Sequence, residues 1–288
     1  MDEFGQSRSA TPGFRETVFY LVSVALLFLV VGVALQVFLG EVGLLLSQWG
    51  VLLGSALAFV VLGQYDLRQT LSLRRPTSRQ AVAAVLLMAG GTPIAWFIAW
   101  IQGFFIPVPV ELLEALRDFL ITDDPVRILW LLFLVAVTPA ICEEVVFRGV
   151  LLSGSARRFS PAGVILFNGA VFGLFHLTPQ TAFRFLPTAW LGVLLAYVAW
   201  RTRSIWLPMG MHFLNNGVIL IFTVAPGVRD RFAEVDREPP LVLLPLSILL
   251  LVVGFRMLGE ASGDDGAGPG RYDGALEGRR EVSDGEEP

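Results

Sequence analysis

Runs of about twenty apolar residues, the length that crosses a bilayer as a helix, recur along this chain and limit its fold more than any other feature. A helix satisfies its own backbone polar groups, so each run can stand in lipid on its own. Eight candidates are legible, at 17–39, 44–63, 80–106, 126–152, 162–180, 183–200, 204–224 and 240–258. The composition agrees: 55% of the 288 residues are hydrophobic and 16% charged, whereas a soluble domain carries about a quarter charged. The expected fold class is all-α, a polytopic membrane helix bundle of about eight transmembrane helices.

The connecting segments suggest an organisation. A polar N-terminus, 1–16, leads into N-terminal membrane helices over 17–106 without a small-residue cleavage site, so no cleavable signal peptide is expected. Gly90, Gly91 and Pro93 predict a kink in the third span. The segment 107–125 has helical patterning and reads as an interfacial helix. A core over 126–224 follows, then a loop and last membrane helix over 225–258. The acidic tail, 259–288, holds nine acids and three arginines, a net −6 that leaves the rest of the chain at +2. Its Gly, Asp and Glu content predicts a disordered, solvating end. All 21 basic residues are arginine, which rules out a lysine nucleophile. The single cysteine excludes an intramolecular disulfide.

Arginine placement orients the bundle. Arg68, Arg74, Arg75 and Arg79, then Arg157 and Arg158, then Arg201 and Arg203 fall on one side of eight spans. That side is assigned to the cytoplasm, with both termini there. Arg229, Arg231 and Arg237 lie on the opposite side, against the rule.

The polar residues inside the spans carry the chemistry. The stretch "AICEEVVFRG", Ala140 to Gly149, puts two acids and an arginine where lipid is expected, and buried charge there costs at least a few kcal/mol per side chain. Glu144 and Arg148 are four residues apart and can pair on one helix face. Glu143 lies about 100° round the helix and lacks that partner, which leaves it free to take a proton from water. Pro139 removes one backbone hydrogen bond just before. The chain's two histidines, His176 and His212, also lie in candidate spans, with Asn216 one turn beyond His212. Such groups normally face the bundle interior and meet each other, so their convergence is expected. At 1.5 Å per residue, Glu143 and His212 fall at similar depths. His176 falls deeper unless its helix begins well outside the membrane. Gly169 and Gly173 form G-x-x-x-G, a close-packing pattern. Pro208 frees a carbonyl near the start of the seventh span. Asn168 and Asn215 suit helix–helix hydrogen bonding. Cys142 reads as inert packing.

These residues resemble the CPBP family of intramembrane proteases, the CAAX prenyl endopeptidase, bacteriocin-processing and Abi-like membrane proteins. That family carries E-E-x-x-x-R, F-x-x-x-H and H-x-x-x-N. Here they are Glu143-Glu144-x-x-x-Arg148, Phe172-x-x-x-His176 and His212-x-x-x-Asn216, in that order. The resemblance implies an intramembrane endopeptidase. In it Glu143 would activate water with help from His176. His212 and Asn216 would hold the oxyanion. Glu144 and Arg148 would brace the site, and Phe172 would pack beside His176. The implied substrate is a peptide or protein at the membrane, lipidated or not, such as a C-terminal CAAX protein. The lipid bilayer is the other partner, and no nucleic acid is expected.

No cofactor is expected. Zinc is the alternative within this class, since two histidines and a glutamate form a known catalytic set. The H-E-x-x-H spacing is absent, and an asparagine is a better oxyanion donor than zinc ligand. Two readings from other classes also fit intramembrane Glu, His and Arg: a transporter or proton relay, and a non-catalytic membrane scaffold. Inverted repeats would mark the first, and the sequence shows none.

Overall fold

The structure, a computed structural model, describes residues 10–178, 181–224 and 239–264. Among these it is helical throughout, with one isolated antiparallel bridge between Leu73 and Ser204. Among the described residues, six helices are long and apolar enough to cross a membrane. The expected loop at 225–239, with Arg229, Arg231 and Arg237, lies outside the described residues except for its last position. So does most of the acidic tail.

Helix α1, Phe14–Leu62, has 49 residues, about twice what a bilayer core of ~30 Å requires. It is in fact a hairpin. Gly40 takes φ 55° and ψ −123°, a left-handed setting that a residue with a Cβ adopts only under strain, and the chain reverses there. The arms 14–39 and 41–62 then run antiparallel. Tyr20 stacks on Phe59 at 4.7 Å between ring centroids, and Gln36 Nε2 donates to Ser47 Oγ at 2.9 Å. Gly43 lies so close to the other arm that a Cβ would stand 1.9 Å from the Leu35 carbonyl oxygen.

A short helix α2, Leu67–Thr70, is N-capped by Asp66, whose Oδ1 accepts from the Gln69 N–H at 2.7 Å. Helix α3, Ser78–Gly103, begins with a Thr77–Gln80 capping box and runs through Pro93 without a break. Gly90 allows close contact: a Cβ there would lie 2.7 Å from the Ser247 carbonyl oxygen of the last helix. Helix α4, Val110–Leu120, occupies the segment read as interfacial. Its Phe119 and Leu120 pack against Leu131, Leu220 and Val224.

Helix α5, Pro125–Ser155, starts with an Asp124 cap and Pro125 in the first turn, where the missing N–H costs nothing. Two π-helical stretches, Phe133–Val137 and Val145–Leu151, flank the acids. Helix α6, Pro161–Phe175, has 15 residues, about 22 Å, so the expected span 162–180 is shorter than drawn. Helix α7, Ala182–Thr202, packs on α6 through the G-x-x-x-G pattern. A Cβ at Gly169 would stand 2.8 Å from Val193 N, and one at Gly173 would stand 3.0 Å from the Phe185 carbonyl oxygen. Helix α8, Trp206–Val224, has Pro208 in its first turn, where backbone N–H groups have no intrahelical partner anyway; the proline thus breaks nothing. Helix α9, Leu243–Asp264, extends six residues past 258, and its Glu260 pairs with Arg79.

The arginine-rich connections gather at one end. Ile205 N–H donates to the Ser72 carbonyl at 3.0 Å, Asp66 N–H to Ala10 at 2.9 Å, and Arg157 to Thr11 Oγ at 3.2 Å. The opposite end holds the Gly40 reversal and a bidentate pair of Arg127 with Glu41, joined by Trp130 Nε1 at 2.6 Å. Between the ends the interior is built from residues such as Val24, Leu52, Val146, Phe147 and Ile205. Many outward side chains are apolar, Phe38 at 83% and Leu62 at 80% exposure among them. Apolar surface this extensive needs lipid, and the protein is integral to a membrane.

Candidate active site

Helix α5 presents Glu143 and Glu144 at neighbouring positions, and each has its own partners. Arg148 Nη1 donates to Glu144 Oε1 at 2.8 Å, with both side chains fully buried. Arg148 Nη2 donates to the Gly192 carbonyl at 3.0 Å. That carbonyl is within reach because α7 crosses α6 closely: a Cβ on Gly192 would stand 3.0 Å from Gly169 Cα. The guanidinium also lies over the Phe172 ring, 4.4 Å from its centroid. The expected Glu144–Arg148 pair is present, and it ties α5 to α6 and α7.

Glu144 does more than balance Arg148. Its Oε1 also meets His212 Nδ1 at 2.8 Å. A carboxylate only accepts, so Nδ1 carries the proton, and His212 Nε2 is the nitrogen left for other work. Phe172 touches both histidine rings, His176 at 4.7 Å and His212 at 5.8 Å between centroids. Its expected place beside His176 is therefore observed.

Glu143 is 8% exposed. Its Oε1 accepts from Gln48 Nε2 at 3.1 Å. Its Oε2 is buried and has no hydrogen-bond partner among the described residues. The closest basic atom is His176 Nε2, at 3.7 Å. That gap is too long for a direct hydrogen bond. His176 caps the C-terminus of α6, and its Nδ1 lies 2.8 Å from the Phe172 carbonyl. A carbonyl cannot donate, so in the neutral ring the proton sits on Nδ1 and Nε2 is an acceptor. The depth mismatch anticipated from the sequence is not seen, since His176 Nε2 faces Glu143 Oε2.

Asn216 has a second attachment. Its Nδ2 donates to the Val135 carbonyl at 3.0 Å. Pro139, four residues after Val135, has no N–H to offer that carbonyl, so Asn216 serves a backbone group that the proline leaves without its α-helical partner. An amide nitrogen has two hydrogens, and one remains. The amide is held by a relay: Thr92 Oγ1 donates to Asn215 Oδ1 at 3.0 Å, and Asn215 Nδ2 donates to Asn216 Oδ1 at 3.1 Å. Asn168 Nδ2 donates to the Phe147 carbonyl at 2.7 Å. Both residues thus make the helix–helix bonds expected of them. Cys142 is fully buried and unpaired.

Three participants were missed by sequence reasoning: Gln48, Thr92 and the Glu144–His212 contact. Gln48 and Thr92 each left a visible signal, as polar side chains inside otherwise apolar spans. The third left none, because the two residues are 68 positions apart. As for metals, each histidine keeps a free Nε2, as metal-binding histidines do. Among the described residues, however, no three His, Cys, Asp or Glu side chains are grouped so as to hold an ion.

Residues 125–218 match the family model Rce1-like, described as type II CAAX prenyl endopeptidase Rce1-like. No curated protein and no solved structure matches the chain. The matched segment runs from the first residue of α5 into α8 and contains all seven motif residues. The match covers 94 of the 288 residues and agrees there with the resemblance to the CPBP family. Gln48 and Thr92 lie outside it.

Proposed function

We propose that the chain is an intramembrane endopeptidase of CAAX type, in which Glu143 activates water without a metal. The observation that carries this reading is the facing pair Glu143 Oε2 and His176 Nε2, 3.7 Å apart. Water held there gives a proton to Glu143 as its oxygen attacks the scissile carbonyl carbon. The oxyanion that forms takes hydrogen bonds from His212 Nε2 and from the second hydrogen of Asn216 Nδ2. His212 donates at Nε2 when both of its ring nitrogens carry a proton. Collapse of the intermediate breaks the C–N bond, and the proton taken by Glu143 passes to the departing amine. Preorganised donors of this kind are worth roughly 3–4 kcal/mol each. The substrate proposed is a protein or peptide presented from the membrane, with the arginine-rich end of the bundle and both termini in the cytoplasm and the bilayer being the cell membrane.

The test is cleavage of an internally quenched CAAX peptide, farnesylated and unmodified, by protein purified in detergent. Glu143→Gln is expected to abolish cleavage and keep the thermal unfolding temperature near wild type. Full activity in that variant would refute Glu143 as the base. The free Nε2 atoms keep zinc as the second reading. Wild-type activity that survives exhaustive dialysis against a strong chelator favours the glutamate mechanism. Loss of activity on stripping, with recovery on adding zinc, would favour the metal.

A further inference from the structure

Gln48 lies in the arm 41–62 of α1, outside the segment that carries the family motifs. Its Nε2 donates to Glu143 Oε1 at 3.1 Å across 95 positions of sequence. Gln48 is 9% exposed, and its own Oε1 is buried without a hydrogen-bond partner among the described residues. A buried amide oxygen left unpaired is unfavourable, and an apolar side chain of the same shape would avoid that cost. Packing alone therefore does not account for glutamine here. The orientation of the amide follows from its one bond, since a carboxylate accepts and only the nitrogen end can face it.

The two oxygens of Glu143 are thereby made different. Oε1 is tethered by Gln48. Oε2 has no hydrogen-bond partner and faces His176 Nε2. The arm that supplies the tether is itself docked on α5: the next residue, Trp49, donates from Nε1 to Thr138 Oγ1 at 3.2 Å, one turn and a half before Glu143. Gln48 also sits in a π-helical stretch, Leu46–Gly54, an irregularity that is frequent at functional sites.

We propose that Gln48 is a positioning residue for the general base, holding Glu143 Oε1 so that Oε2 is the oxygen that receives the proton from water. The first hairpin is then part of the catalytic machinery and not only a membrane anchor. The proposal rests on Glu143 being the base.

Two measurements on the full-length protein in detergent test it. The first is cleavage of the quenched CAAX peptide by Gln48→Met, which keeps size and removes the donor, and by Gln48→His, which restores an N–H of similar reach. Gln48→Met is expected to lower kcat roughly 10- to 100-fold, by analogy with the loss of a hydrogen-bond partner that orients a metal ligand. KM stays within about twofold, as for an interaction used only in the chemical step. Gln48→His regains most of the loss. Wild-type kcat in Gln48→Met, or a Gln48→His no better than Gln48→Met, would overturn the proposal. The second needs no substrate: a double-mutant cycle of Gln48→Met and Glu143→Ala on thermal unfolding. Non-additive shifts are expected for a direct contact, and additive ones would overturn it. If Glu143→Gln is inactive and Gln48→Met is fully active, this proposal fails alone. If Glu143→Gln is active, the assignment of the base fails first.

Discussion

Single residues in this site hold two tasks at once, and substitutions should expose both. Glu144 balances Arg148 and holds His212 through the same oxygen. Glu144→Gln is therefore expected to lower stability by about 3–5 kcal/mol, because Arg148 keeps a buried charge with no anion. It should also lower kcat. Thermal unfolding in detergent and cleavage of the CAAX peptide check the two effects separately. Asn216 is similar. Asn216→Ala is expected to reduce kcat by roughly 10²–10³ with little change in KM, and also to cost about 1–3 kcal/mol of stability as the Val135 carbonyl is left unpaired. A stability loss with unchanged kcat would assign Asn216 to structure alone. Cys142 has a single role. It is fully buried among apolar neighbours, so Cys142→Ala should keep most activity, and total loss in a folded variant would point to a cysteine nucleophile.

At the scale of elements, the site is assembled where helices come unusually close. The α6–α7 crossing depends on Gly169, Gly173 and Gly192, each with backbone or Cβ atoms of the other helix inside normal contact distance of a built Cβ. That approach brings the Gly192 carbonyl to Arg148. Gly169→Leu forces the helices apart and is expected to cost 1–3 kcal/mol or more, as overpacking does. Activity should fall with it, since Phe172 and His176 ride on α6. Gly210, against which nothing packs within 4 Å, supplies the control: Gly210→Ala should be tolerated in both assays. Helix ends matter as well as helix contacts: α6 ends at Phe175, and His176, its C-cap, meets Glu143.

For the whole molecule, the three arginine-rich connections and the described ends near Ala10 and Glu260 lie together, and Glu41 with Arg127 marks the other end. The positive-inside rule turns this into a labelling prediction. In a Cys142→Ala background, Arg75→Cys should react with an impermeant thiol reagent only after the cells are opened. Asp123→Cys should react in intact cells. The reverse pattern would invert the proposed orientation.

Much was determined by the sequence alone. Long apolar runs leave a chain no alternative to helices in lipid, so the fold class follows from composition along the chain. The i, i+4 spacing of Glu144 and Arg148 is local geometry, and their pairing follows from it. The same is true of the unpaired position of Glu143, one residue earlier. That His176 and His212 lie beside the two acids was legible only because polar groups in lipid seek each other. Tertiary structure decided the rest. The sequence breaks its apolar runs between 39 and 44, but that Gly40 makes the reversal is not legible in it. That Gln48 reaches Glu143, that Glu144 holds His212, and that Asn216 serves a carbonyl left by Pro139 are contacts across 95, 68 and 81 positions. Apolar periodicity says which residues are buried. It does not say which helices face each other, since that depends on close-packing at a few small residues and on the satisfaction of each buried donor by whichever acceptor the crossing brings near.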